Sequence, residues 1–572
     1  MSALVIVEVH VGHVRAGAAA LVVGLATVST LLSSCGAAGP APISPTASGR
    51  GGTPVERPMV AAGAWSYDSS YDVPVPQDSA ALPTGACSVP SGWVGRESRL
   101  PGTSAWRGID WGESPRVAVY ADRPSTRCGV PVSVHLGGAG ARHVVVRAFR
   151  VGWYAGSGAR LVWSSRDLAV PPASPARAGS GAVGPTHWTT SVALPVDAAW
   201  PPGLYLVAAD VRGRLSGATA LVVRSSAPPS LSAVMYSNLT WSAYSVAGGA
   251  SLYQGVSRTP ATRALTVAVA RPMQYRGDSP VATYDVPVAQ ILDRAGVEAD
   301  PLVDTDVDIW PSLLVHRTEI VLPGHSEYWT TTMYSALVAA RNAGANIADL
   351  GANDVYWHAR VGYAGDAPAT LFVARQLARD PLAAQDPSMA TVEWRARPLL
   401  RNPSAVLGQS YTAVRAEGGT VVRPVPSWLS GIPGFTAGAV LPHAAWNEVN
   451  GVRPRSYPVP DDLQVLAQGV LVRHGFADQP VSTTYYSSRS GGGVFAAGST
   501  YWPCLVVGSC PDVTTSPAER ATLWEVVRRV VVGFRSPGFG ALHPSQPSHL
   551  PSVAVLRSQL PAGAVGIYGV GD

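Results

Sequence analysis

Histidine, serine, glutamate, tyrosine and tryptophan stand in one run, "GHSEYW" at 324–329, directly after an apolar stretch that ends in Pro323-Gly324. An imidazole two positions from a carboxylate is a pair suited to moving protons. Two further polar clusters have the same setting: "YSNLTWSAY" at 236–244 and "GANDVYW" at 351–357. Only 14% of the chain is charged, so polar side chains gathered three times at the ends of apolar runs mark a site. A lone His325 would more often be a satisfied structural histidine, and Trp329 and Trp357 alone could merely cover the end of a sheet. Three clusters together favour chemistry. Several common chemistries are excluded. "GHSEY" lacks the second glycine of a nucleophile elbow. No cysteine follows a strand in this region, which removes Cys-His acyl transfer. There is no P-loop and no dinucleotide fingerprint.

The elements that must position these clusters can be read from periodicity. "LSAVMYSN", "ALTVAVA", "TEIVLPG" and "ANIADLGAND" read as strands, and "TYDVPVAQILDRAG" and "TTTMYSALVAARNAG" as helices, the second with Thr near its N-cap and Gly344 at its end. Alternation of this kind predicts an α/β domain over 229–540. Its mostly parallel sheet would carry helices on both faces. Ligands bind beyond the carboxyl ends of such strands, which is where the three clusters fall. Near the end, "VSTTYYSSRSGGGVFAAGSTYW" reads as a pair of strands and "SPAERATLWEVVRRVVVGF" as a capped helix, with a C-terminal extension at 541–572. Upstream, Val117 to Val223 shows period-two runs separated by Gly, Pro and Asp. These predict an immunoglobulin-like β-sandwich domain over 84–226, joined through "SSAPPS".

The chain has 572 residues, 47% of them hydrophobic, and a net charge of +5 carried by arginine with no lysine. Such a chain folds into more than one domain. Without clustered cations, no nucleic-acid partner is expected. Ala16 to Leu32 is an apolar run of signal-peptide length. It leads into "LLSSCGAAG", which resembles a bacterial lipobox. Residues 1–35 are therefore read as a lipoprotein signal peptide, with Cys35 lipidated and the protein anchored on the extracytoplasmic face of the cell membrane. Residues 36–83, rich in Pro, Gly and Ala, are the tether. The four remaining cysteines pair by order as Cys87–Cys128 and Cys504–Cys510.

"TWSAYSVAGGASLYQGVSR", "PGHSEYW", "GANDVYW", "TVEWR" and "SGGGVFAAGSTYW", in that order, resemble the C-terminal domain of the N,N-dimethylformamidase large (beta) subunit family. "FRVGWYAGSGARLVW" is similar to a segment found just upstream in such proteins. The resemblance implies a fold related to class I glutamine amidotransferases without their cysteine, and amide hydrolysis at a single iron held by two tyrosines and one glutamate. Phenolate and carboxylate are hard anionic donors that suit Fe(III). Carried over residue by residue, Glu327 is the carboxylate ligand and Tyr244 one tyrosine. Tyr253 is the candidate for the other, with Tyr236 behind it. His325 becomes a supporting group or general base, and Asn353 an orienting or oxyanion donor. The expected protein is an exported, lipid-anchored hydrolase of a small amide. The alternatives are a non-catalytic cell-surface binding lipoprotein and a wall- or carbohydrate-processing enzyme. The last needs a second carboxylate, for which "DTDVD" (304–308) is the acidic cluster on offer.

Overall fold

The computed structural model describes residues 75–569, apart from 83–86, 88, 180, 226–229, 257 and 454–455. The signal peptide with Cys35, the tether up to residue 74 and the middle of the "SSAPPS" linker lie outside the described residues.

The central feature is a ten-stranded sheet. Ala299–Val303, Ser232–Tyr236, Glu319–Leu322, Asn346–Asp349 and Gly493–Ala496 lie side by side and parallel. Their residues alternate between two cores. Val234, Tyr236, Val321, Ala348 and Phe495 face one core, which holds the helices Val286–Ala295 and Pro517–Gly533. Ala233, Met235, Ile320, Leu322, Ile347 and Val494 face the other, which holds the helix Thr331–Asn342. This half is therefore covered on both faces, as parallel strands require.

The expectation of a mostly parallel, amidotransferase-like sheet is corrected beyond Gly493–Ala496. From there the order runs Gln479–Ser487, Gln464–Val472, Val565–Ile567, Ser410–Val422 and Val440–Gly451. Every pairing in this half is antiparallel except that of Val565–Ile567 with Gln464–Val472. Strand outweighs helix in the structure, 32% to 23%. The reason lies in the connections. Antiparallel neighbours need only short links, whereas a parallel crossover needs a dozen residues or more, usually a helix. Among the described residues between Ser410 and Ser487 the longest helix is a single 3₁₀ turn, Ser427–Leu429. "ALTVAVA" also leaves the main sheet. Thr266–Ala268 pairs antiparallel with Ala367–Phe372 in a separate four-stranded sheet, and the outer parallel strand is Ala299–Val303 instead.

The strands within 117–224 form two facing sheets, except Ala182–Val183, which pairs with Thr266–Ala268. Val119, Val134, Leu136, Val146, Val207 and Val223 fill the space between them. The strands Gly203–Val211 and Arg214–Arg224 bury their other face as well. Leu204, Leu206, Ala220 and Val222 belong to the core that holds the helix Val286–Ala295. Both disulfides expected from cysteine order are formed, Cys87–Cys128 and Cys504–Cys510. Among the described residues no helix is long and apolar enough to cross a membrane.

Candidate functional site

Each polar cluster leaves the carboxyl end of a parallel strand. Ser232–Tyr236 runs into the helix Asn238–Tyr244, whose last residue is Tyr244. The chain then doubles back, with the Leu252 N–H donating to Ala243 O at 3.0 Å. That turn lays the Tyr253 ring 4.5 Å from the Tyr244 ring. Glu319–Leu322 delivers 324–329, and Asn346–Asp349 delivers 351–357. These last two segments are laced together. Val355 N–H donates to Ser326 O at 2.9 Å and Trp357 N–H to Glu327 O at 2.8 Å. Gly351 is needed at their crossing, because a Cβ there would stand 2.2 Å from Gly324 O.

Glu327 is the point of convergence. It is 1% exposed, and its backbone N–H donates to Thr240 Oγ1 at 3.1 Å. Tyr244 OH donates to Oε2 at 3.0 Å, and Tyr253 OH donates to Oε1. Burial, then the Glu327 charge, push both phenols well above their ordinary value. Tyr236 makes no hydrogen bond to Glu327; it lies within the strand, in the apolar core with Trp241. His325 is also 1% exposed. Its Nδ1 lies 3.2 Å from Ala352 O, and its Nε2 lies 3.0 Å from Tyr244 OH and 3.6 Å from Glu327 Oε2. Burial opposes a charge on His325, but Glu448 and Glu327 outweigh it and raise its pKa to about 9. Asn353 sits at φ 56°, a left-handed conformation that asparagine tolerates better than most residues. Its Nδ2 donates to Glu448 Oε2 at 2.6 Å.

Glu448 was not legible as a site residue. It comes from Val440–Gly451, the far edge of the antiparallel half. The end of that strand folds back onto the parallel half: Thr500 N–H donates to Glu448 O, and Asn450 N–H donates to Gly498 O, both at 3.0 Å. Glu448 Oε2 lies 4.0 Å from His325 Nε2, and its side chain is 15% exposed. The signal was a glutamate between Asn447 and Asn450 in a strand that is otherwise largely apolar. The acidic run 304–308 supplies no partner for Glu327. It forms the helix Asp304–Ile309, in which Asp304 accepts from Leu239 N–H and Asp306 from Val303 N–H.

Tyr244, Tyr253, Glu327, Asn353 and Glu448 line one cavity of about 480 Å³, with Tyr356, Trp357, Arg375 and Tyr411 among its other walls. Among the described residues, no group of three or more histidine, cysteine or acidic side chains is placed to hold a metal ion. An ion in this cavity would therefore have to draw on the phenols. The donor set suits one. Two phenol oxygens already converge on one carboxylate, and a hard cation replacing their protons would meet three anionic oxygens.

Residues 145–512 match the family model described as N,N-dimethylformamidase beta subunit-like, C-terminal. The chain belongs to this family. No curated protein matches the sequence.

Proposed function

We propose that this family member is a metal-dependent amidase. In this reading it hydrolyses the C–N bond of an amide at the outer face of the cell membrane, held there by a lipid on Cys35. One observation carries the catalytic part: two tyrosines hydrogen-bond a single buried carboxylate at the wall of a cavity that a second carboxylate also lines. Tyr244, Tyr253 and Glu327 would hold Fe(III). The ion, when bound, supplies Lewis-acid polarisation of the amide carbonyl and a more acidic water.

The rest is the work of the chain. Glu448 is the less deeply buried carboxylate and takes the proton from water at Oε2, then returns it to the leaving nitrogen. Asn353 Nδ2 fixes the direction of that carboxylate. His325 is buried between Glu327, Glu448 and Tyr244, and its imidazole keeps the carboxylates apart from one another. Thr240 Oγ1 pins the backbone of Glu327.

Phenolate on Fe(III) absorbs visible light, so the purified, iron-loaded protein is expected to be coloured. Glu327→Gln should lose iron and amidase activity together. Tyr244→Phe should weaken the colour with the fold intact, since only a phenol oxygen is removed. A colourless wild type, still inactive after reconstitution with iron, would overturn the reading in favour of a surface binding protein. The anchor is tested separately. Cys35→Ala should release the protein from the membrane fraction or leave its precursor uncleaved. A processed, membrane-bound Cys35→Ala protein would remove Cys35 from the account.

A further inference from the structure

The cavity holds a guanidinium that the reaction above does not use. Arg375 follows the strand Ala367–Phe372 and sits at φ 62°, a strained conformation for a residue with a long side chain. Its backbone N–H is tied to Thr391 O at 2.8 Å. Its Cζ lies 4.1 Å from the centre of the Tyr253 ring and 4.7 Å from that of Trp357. Nη2 donates to Tyr328 OH at 2.8 Å, while Nε is buried with no partner. An arginine has five N–H donors; here one is used. No carboxylate among the described residues lies within ion-pair distance of it. Arg276, which lines the same cavity, is arranged otherwise: its Nε is 2.8 Å from Glu113, and its Nη1 donates to Gln254.

The carboxylate nearest Arg375, Glu327, acts on it only from beyond the Tyr253 ring, and a guanidinium so enclosed by aromatic rings is better satisfied when an anion meets it directly. The cavity is also large for a dimethylformamide-sized amide. Its volume of about 480 Å³ lies in the range of sites that take much larger molecules. Beyond Arg375 the wall is aromatic. The Tyr356 ring lies 5.0 Å from Trp357 and 5.1 Å from Tyr411.

We infer that Arg375 grips a carboxylate on the substrate, and that the substrates are therefore amides carrying their own carboxylate, with N-acyl amino acids the simplest class. The inference rests on the amidase reading of this cavity. The single ring of Tyr253 separates the guanidinium from Glu327, so a carboxylate held by Arg375 leaves a neighbouring amide carbonyl beside Glu327. The acyl group lies against Tyr356, Trp357 and Tyr411. Hydrolysis then breaks the acyl C–N bond and forms a C–O bond to the water oxygen. The water's proton passes to the nitrogen, and a carboxylic acid and a free amino acid leave.

Calorimetric binding of N-benzoylglycine and of its methyl ester to the whole mature protein, with release of benzoate followed in parallel, tests this. The acid should bind at least about tenfold tighter than the ester, the scale of a charge-assisted hydrogen bond. Arg375→Met should abolish that preference, and Arg375→Lys should keep part of it. The comparison in the wild type stands even if a variant folds poorly. Equal binding of acid and ester overturns the inference, as does a preference that survives Arg375→Met. Binding through Arg375 without cleavage would sink the amidase reading and leave the ligand class standing. Cleavage of dimethylformamide with no preference for the acid would do the reverse.

Discussion

Glu448 and Glu327 are both carboxylates in one cavity, yet their surroundings assign them different work. Glu327 accepts from two phenols and is sealed from solvent. Glu448 accepts from one amide and stays partly exposed. On the amidase reading, Glu448→Gln should therefore leave iron content and colour unchanged while lowering kcat by about 10²–10⁴, the usual cost of losing a general base. Single-turnover assays beside metal analysis would check this; a loss of iron would move Glu448 among the ligands. At this scale the sequence was informative where residues cluster and silent where they do not. Tyr244, His325 and Glu327 stand in compact motifs at strand ends. Glu448 and Arg375 are isolated charges in unremarkable segments, brought to the cavity by pairings that local sequence does not encode. The choice of Tyr253 over Tyr236 was left open by the sequence. In the structure Tyr253 reaches Glu327, whereas Tyr236 lies in the strand itself.

The parallel strands Ser232–Tyr236, Glu319–Leu322 and Asn346–Asp349 were legible as short, bounded apolar runs, and the covering helices by their ends, whereas Ala299–Val303 was not read and "ALTVAVA" was put in its place. Thr330 Oγ1 accepts from Met333 N–H, and Ser516 accepts from Glu519 N–H, as helix caps do. The antiparallel half beyond Gln479–Ser487 was not legible. Its strands reach 13 residues in Ser410–Val422 and carry repeated bulges, which interrupt the alternation that marks a strand. One parallel strand also holds a titrating group. Glu319 is buried, accepts from Ser232 Oγ at 2.5 Å, and has its pKa raised by that burial from the ordinary 4.5 to about 8. Between those two values the folded chain keeps a proton that the unfolded chain has lost. Stability must therefore fall as pH rises from about 5 to about 8. Urea unfolding of wild type and Glu319→Gln at the two ends of that window should show a smaller fall in the variant. Parallel losses would mean that Glu319 is already ionised in the folded protein.

Across the whole molecule, the facing sheets of residues 117–224 are bound to the ten-stranded sheet by more than apolar contact. Arg150, on the strand Ala141–Val151, meets Asp293, on the helix Val286–Ala295, through two hydrogen bonds of 2.9 and 3.1 Å. Tyr154 OH accepts from Arg150 at 2.9 Å and donates to Glu97 at 2.6 Å. Asp293→Asn would leave a buried guanidinium uncompensated and should cost about 3–5 kcal/mol. The wild type is expected to unfold in one transition, since the two parts share a core. The variant should show a lower urea midpoint, or two separate transitions. An unchanged midpoint would mean that water or the neighbouring phenol satisfies Arg150 unaided.

The fold-back of Val440–Gly451 onto residues 498–500 has a consequence for the order in which this protein matures. A chain is synthesised from its N-terminus, so Tyr244, Tyr253, His325 and Glu327 emerge together and early. Glu448 comes later, and the end of its strand, though already paired with Ser410–Val422, finds its partners at residues 498–500 only once these have appeared. The three oxygen donors can thus gather well before the carboxylate that faces them arrives. An interrupted or truncated chain would carry Tyr244, Tyr253 and Glu327 without Glu448. The contact that completes the cavity is therefore made late in the chain's appearance, though before Val565–Ile567 joins the sheet.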